Sequence, residues 1–256
     1  MRPAAGTVGA VGYSARMANK SYLVAGEDGA IYPTVTMSEQ EIENNLLAED
    51  FYCVPLLWLA MFRPADLVSA TIVVEADEDE DEDDPVFAEL VADLVGDEDG
   101  DDEDGDSVVD VTAPVAPKDR ALAQLDAALP ALHRLFGDEG RLDEHVALLR
   151  QGVAEAPGRF VTIELEEIAV MHSSTEEYYA MLRDALASLD EPTDVTADRE
   201  RLVGLAQLRP GRPFPPARLV LDGLDAPDDD WWNHSRLLGT RYLRAVPWEP
   251  PPEDEP

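Results

Sequence analysis

The chain has few basic side chains, and almost all of them are arginines. Its 256 residues include 19 Lys and Arg against 55 Asp and Glu, so the formal net charge is -36. The lysines are Lys20 and Lys118. Nucleic-acid binding through a basic groove, like attachment to anionic lipid by a polybasic patch, requires clustered Lys and Arg. We therefore expect neither direct nucleic-acid binding nor electrostatic binding to a membrane.

Cysteine and long apolar runs are also scarce. Cys53 is the single cysteine, which excludes an internal disulfide and a cysteine-based zinc site. A reducing, cytoplasmic compartment fits this composition. The longest apolar run, residues 53–62, is about half of the roughly 20 residues that a membrane span needs. The abundant Ala, Gly, Pro, Arg and Asp are typical of a GC-rich genome, so we expect a bacterial protein.

Common catalytic motifs are missing from the sequence. It contains no G-x-S-x-G elbow, no phosphate-binding P-loop, no G-x-G-x-x-G and no H-E-x-x-H. These absences lower the expectation of a hydrolase, a nucleotide-binding protein or a metalloprotease. We predict a protein without a catalytic role, a cofactor or a bound metal.

The acidic residues are concentrated in one segment. No basic residue lies between Arg63 and Lys118, and residues 75–110 include 20 acidic residues. One run covers residues 75–84, and a second at 97–106 is the pentamer DEDGD repeated. Like-charge repulsion predicts that both runs are extended and solvated. Residues 85–96 between them have apolar residues at helical spacing, which predicts a short amphipathic helix.

Several interpretations of these runs compete. A calcium loop of the EF-hand type is disfavoured in both registers: with Gly100 at position 6, position 1 falls on Val95, and with Gly105 there, position 1 falls on Gly100 and position 12 on Val111. An extended run carries one charge per roughly 3.7 Å, close to the roughly 3.4 Å of a DNA strand, so the run could occupy a DNA-binding surface. A solvated low-complexity loop and adaptation to high salt are the alternatives.

From the acidic runs we predict a surface that binds a basic protein partner. The paired tryptophans Trp231 and Trp232 follow three aspartates and are predicted to anchor the interface, the alternative being a loop that fills the core. The acidic residues assigned to this surface are Asp77, Glu78, Asp79, Glu80, Asp81, Glu82, Asp83, Asp84, Asp97, Asp99, Asp101, Asp102 and Asp104.

Histidines supply the residues for a catalytic or metal alternative. His133 and His145 fall on adjacent predicted helices near Asp143, which makes a His–carboxylate metal site conceivable. His172 precedes Ser173 and Ser174, although sequence proximity alone does not define a nucleophile. The corresponding function would be that of a small enzyme with a His/carboxylate site.

Hydrophobic periodicity predicts an α+β fold, with a small mixed sheet and several packed helices interrupted by a disordered acidic insert. Residues 21–25 and 30–35 are predicted to form a β-hairpin. Further strands are predicted at residues 68–74 and 161–165, and less regular ones at 219–221 and 242–246. The strand at 161–165 alternates apolar and polar residues and is predicted to be half-buried. The predicted helices begin at Ser38, with Leu46 and Leu47 inward, and at Pro55, where the apolar run predicts a buried helix. The others cover residues 122–132, with a kink or division at Pro130, then 142–153, 174–189, which a Ser174–Glu177 capping box opens, and 199–208.

These elements divide the chain into five parts. We predict a disordered extension at residues 1–19, the fold at 20–74 and 118–247, the acidic insert at 75–117 and a disordered tail at 248–256. The function predicted for the whole is that of a non-catalytic acidic partner-binding protein, such as an immunity-type inhibitor that occupies the basic surface of a nuclease. A protein whose acidity serves solubility or salt tolerance is a further alternative.

Overall fold

A five-stranded antiparallel sheet and the helices packed against it confirm the predicted α+β class. The computed structural model describes residues 20–29, 45–51, 53–74, 107–136, 141–190, 192–206, 235 and 237–243. The strands are β1 (Lys20–Gly26), β2 (Leu46–Phe51), β3 (Leu67–Val74), β4 (Ser107–Pro117) and β5 (Phe160–Glu164). The helices are α1 (Leu56–Leu59), α2 (Lys118–Phe136), α3 (Arg141–Glu155), α4 (Glu166–Ala169), α5 (Thr175–Asp190) and α6 (Val195–Ala206).

The strand order of the sheet is β2-β1-β5-β4-β3, so β5 lies at its centre. Tyr22 of β1 faces Glu164 of β5, and Thr162 of β5 faces Val115 of β4. Val161 and Ile163 belong to the hydrophobic core, while Thr162 and Glu164 on the opposite face are also buried. The predicted half-buried strand is therefore buried on both faces, because it is central rather than peripheral.

Helix α1 confirms the prediction of a buried apolar helix after Pro55. All four of its residues are buried, and Trp58 is fully enclosed. The Nε1 group of Trp58 donates a hydrogen bond to the carbonyl of Gly239 at 2.9 Å. Gly239 has a φ of +81°, and a β-carbon there would collide with the indole ring. The segment around Gly239 is thus fixed to α1 by a contact that needs glycine.

Helices α2 and α3 confirm the two predicted leucine-rich stripes. Their apolar residues face the core at intervals of three and four residues. Pro130, where a kink or a division was predicted, is exposed and lies inside α2, which continues through it. The buried residues of the two stripes include Leu125, Leu132, Leu142, Val146, Leu149 and Val153.

The prediction that Leu46 and Leu47 belong to a helix is wrong. Both residues lie in β2, which pairs antiparallel with β1 from Lys20↔Phe51 to Val24↔Leu46. Cross-strand pairing with the apolar strand β1 outweighs the local helical pattern. The predicted partner of β1, residues 30–35, lies outside the described residues.

Two further boundaries differ from those predicted. Ser107–Pro117 forms strand β4, so the paired part of the chain resumes at Ser107 instead of after residue 117. Helix α6 begins at Val195, four residues before the predicted start, because Asp194 caps it by accepting hydrogen bonds from the backbone of Thr196 and Ala197. Tyr242 lies in a turn and not in a strand. The predicted terminal extensions, the helix at 85–96 and the strand at 219–221 lie outside the described residues.

Candidate functional site

The acidic segment is held at both ends by paired strands. Strands β3 and β4 pair in register from Leu67↔Pro114 to Val74↔Ser107. Residues 75–106, which connect them, include 19 acidic residues and no basic one. The pairing between Val74 and Ser107 brings the two ends of this segment together, so its charge belongs to one loop on one β-hairpin.

The hairpin that carries the loop extends beyond the central sheet. Strand β4 pairs with β5 at Val115–Pro117, whereas the rest of β4 pairs, within the described residues, with β3 alone. Seven residue steps separate Pro114 from Ser107, which corresponds to about 24 Å of extended chain. The acidic loop therefore begins about 24 Å along the hairpin from its junction with the sheet.

Hydroxyl and carboxylate groups line one face of this hairpin. The hydroxyls of Ser69 and Thr112 are 2.8 Å apart, and the hydroxyl of Thr71 donates to Oδ1 of Asp110 at 2.6 Å. Asp110, Ser69 and Thr71 are exposed, and Val68 is 40% exposed. Because the nearest charge on this face is also negative, the hairpin does not neutralise the loop that it carries.

The residues predicted to bind a partner all lie outside the described part of the chain. This applies to the thirteen acidic residues within 77–104 and to Trp231 and Trp232. Their assignment stays a prediction. The structure describes the attachment of the acidic segment to β3 and β4.

The predicted histidine pair on α2 and α3 does not converge on one point. The Nε2 atom of His133 lies 3.0 Å from Oδ1 of Asp143, on the outer side of the two helices. His145 is fully buried, and its Nδ1 atom lies 2.6 Å from Oγ1 of Thr240. Across the described ranges, no three His, Cys, Asp or Glu side chains are arranged to hold a metal ion. The geometry does not support the metal alternative.

The two serines after His172 have a structural role. The hydroxyl of Ser174 accepts a hydrogen bond from the backbone of Glu177 at 3.3 Å, and Ser173 donates to the Glu177 carboxylate at 3.2 Å. These bonds form the predicted cap at the start of α5. Both hydroxyls are directed to Glu177, so neither is arranged as a nucleophile activated by His172.

A second candidate site lies where β5 ends and α4 and α5 begin. We call it the Glu–Tyr cluster, and it consists of Glu164, Glu166, His172, Tyr178 and Tyr179. The backbone N–H of Glu166 donates to Oε1 of Glu164 at 3.1 Å, and the two carboxyl groups are hydrogen-bonded to each other. The rings of His172 and Tyr178 have centroids 4.8 Å apart, and those of Tyr178 and Tyr179 are 5.5 Å apart.

Burial shifts the proton equilibria of the cluster. Desolvation raises the pKa of Glu166 to about 8; the hydrogen bond with Glu164 opposes this shift, and the charge of Glu167 adds to it. Burial also raises the pKa values of Tyr178 and Tyr179 and lowers that of His172. At neutral pH the cluster therefore contains a protonated carboxylic acid, two phenols and a neutral imidazole.

Several polar atoms of the cluster are buried without a hydrogen-bond partner in the described part of the structure. They are Oε2 of Glu166, Nε2 of His172 and the hydroxyl of Tyr178. Leaving such groups unsatisfied costs about 1–3 kcal/mol each. A protonated acid beside a second carboxyl group is the arrangement used for general acid–base chemistry.

The sequence did not reveal this cluster. Glu164 and Glu166 alternate with apolar residues, a pattern that predicts a half-buried strand. The strand order that buries them depends on pairings with β1 and β4, which are distant in sequence. No local pattern could have shown that the strand lies at the centre of the sheet.

Comparison with known proteins identified no relative. No protein-family model, curated protein or solved structure matches the chain. Among the described residues, no helix has the length and apolar character needed to cross a membrane.

Proposed function

We propose that the chain is a non-catalytic acidic protein that binds a basic surface of another protein through residues 75–106. The observation that supports this is the closure of the segment by the Val74↔Ser107 pair. It concentrates 19 carboxylates in one loop that leaves and re-enters a single hairpin. A loop of this kind can contact a partner while the core of the protein stays unchanged.

The physical basis of the interaction is electrostatic. A concentrated negative charge accelerates association with a basic surface, and salt weakens this effect. In an extended conformation the charges of residues 75–84 would be spaced much like those of a nucleic-acid strand, so a basic nuclease is the kind of partner that fits. Inhibition of such a nuclease, in the manner of an immunity protein, is the specific form of the proposal. A bacterial cytoplasm, where the buried thiol of Cys53 would stay reduced, is the proposed location.

The experiment removes the charges of residues 75–106 while keeping the length of this segment. In the test variant, the acidic residues of 75–106 are changed to Asn and Gln. The control variant keeps every charge but exchanges the order of residues 75–84 and 97–106. Affinity capture of basic proteins from the native host, at about 0.05 and 0.3 M salt, compares the three chains.

We expect the control to capture the same partner as the natural chain and the neutral variant to lose it, with capture weaker at the higher salt. Recovery of the same partner by the neutral variant would remove the segment from the mechanism. If no chain captures a basic protein and the neutral variant merely precipitates, the segment serves solubility and the proposal is wrong.

The Glu–Tyr cluster supports a second function, that of a small enzyme with a His/carboxylate site. The supporting observation is the protonated Glu166 beside Glu164, with His172 and Tyr178 nearby. The two carboxyl groups would share and transfer the proton of the reaction. Screening of the natural chain and Glu166→Gln against hydrolysable esters, phosphates and glycosides tests it. Turnover that the substitution abolishes without unfolding supports this function, and turnover that is absent or unchanged rejects it.

A further inference from the structure

Strand β3 is an edge strand without the features that protect such strands. In the described sheet it pairs with β4 on one side, and its other side carries a row of backbone N–H and C=O groups. At the start of the strand, the N–H of Leu67 already donates to the carbonyl of Pro64. Its sequence, LVSATIVV, contains no charge, no proline and no glycine. Natural edge strands are commonly protected by charged residues, prolines or bulges. Such a strand is a template for pairing with another chain.

The other edge of the sheet is different. Strand β2 includes Glu49 and Asp50 within its six residues, and Lys20 of β1 forms an ion pair with Glu49 at 2.8 Å. The register between β1 and β2 also shifts at Leu23 and Val24. Charges and an irregular register are both features that discourage further pairing. The two edges are therefore unequal, and β3 is the one suited to accept a strand.

The surroundings of β3 determine which strand it would accept. The acidic segment begins at Glu75, immediately after Val74, and the exposed Asp110 lies across from Thr71. No basic residue lies between Arg63 and Lys118 in the sequence. One end of a strand added to β3 would lie beside Val74, where the acidic segment begins, which favours a partner with Lys and Arg at that end.

We propose that β3 binds an extended basic segment of the partner as a sixth strand of the sheet. This inference rests on the proposed function, because the acidic segment supplies the attraction. Backbone hydrogen bonds along Leu67–Val74 would supply the affinity, as in other cases of strand addition. All strand pairs in the sheet are antiparallel, and an antiparallel partner has its N-terminal end beside Val74. The basic cluster of the partner therefore precedes its strand.

The test uses three synthetic peptides with the intact protein. The first has a cluster of Lys and Arg followed by alternating Thr and Val. The second has the same charge but proline in place of every second Val, so it cannot pair as a strand. The third has the basic cluster after the strand. Binding is measured by calorimetry, and hydrogen exchange is measured on the amides of Leu67–Val74.

We expect the first peptide to bind at least about tenfold more tightly than the other two, and to slow exchange at alternate amides of β3. Equal binding of the first two peptides with unchanged exchange overturns strand addition and leaves capture by charge intact. A neutral variant of residues 75–106 that binds all three peptides like the natural chain overturns the proposed function, and with it the basic character of the partner.

The state of the protein without peptide is the remaining control. Sedimentation should show a monomer whose β3 amides exchange rapidly at one edge. A dimer whose β3 amides are already protected would overturn the proposal, because a second copy of the chain would then occupy this edge.

Discussion

Replacing Glu166 by glutamine should stabilise the protein at neutral pH, although it removes a hydrogen-bonded buried side chain. Glu166 is 6% exposed, and burial raises its pKa from 4.5 to about 8. The native state thus keeps the proton over this range, whereas the unfolded state loses it. Glutamine has the size of the protonated acid and can still hydrogen-bond to Glu164, but it has no proton to release.

The sign of the effect follows from proton linkage. Because the unfolded state binds fewer protons between pH 4.5 and 8, the free energy of unfolding of the natural chain falls as pH rises through this window. The contribution from Glu166 changes by about 1.4 kcal/mol per pH unit. At pH 7 the free energy of unfolding of the natural chain should therefore be up to about 3 kcal/mol lower than that of Glu166→Gln.

Urea unfolding followed by circular dichroism at pH 5, 6, 7, 8 and 9 measures the difference. The advantage of Glu166→Gln should be below about 1 kcal/mol at pH 5, increase up to pH 8 and level off above it. Since any removed charge relieves repulsion in a chain of net charge -36, the control is Glu176→Gln at an exposed position of α5. A difference that does not depend on pH, or one that the control reproduces, would refute the assignment of a neutral Glu166.

Three other substitutions test the fold. Burial raises the pKa of Asp198, but hydrogen bonds from the backbone of Asp194 and from other groups lower it overall. Asp198→Asn should therefore lower the free energy of unfolding by about 2 kcal/mol at pH 7 and by less in acid, where Asp198 is protonated. Urea unfolding at several pH values measures this. Pro130→Ala should raise stability in thermal unfolding by roughly 1–3 kcal/mol, because it restores a helical N–H within α2. In Gly239→Ala the new methyl group would collide with the indole ring of Trp58. The substitution should therefore lower the free energy of unfolding by more than about 2 kcal/mol and shift the fluorescence of Trp58. An unchanged spectrum would contradict this packing.

The parts of the fold that could be predicted are those that local periodicity determines. Helices α2, α3 and α5 have apolar residues at helical spacing, and each buries the predicted face. The cap formed by Ser174 and Glu177 at the start of α5 was also predicted from sequence. In these cases the local preference and the tertiary packing agree.

The parts that could not be predicted depend on contacts between distant residues. Strand β4 was missed because Pro114 and Pro117 argue against a strand. Pro117 is its last residue, and Pro114 lies opposite Leu67, the first residue of β3, while its carbonyl accepts a hydrogen bond from Thr162. The burial of Glu166, and with it the Glu–Tyr cluster, likewise depends on the position of β5 in the sheet.

Because Val74 pairs with Ser107, the number of charges between these two residues can change without a change in the fold on either side. Each DEDGD unit adds four carboxylates to a loop whose two ends stay in the same place. In general, doubling the length of the chain between two fixed ends costs only about 0.6 kcal/mol of closure entropy. Gain or loss of such units can therefore change the charge of the protein in steps, while strand register, core packing and the helices keep their positions.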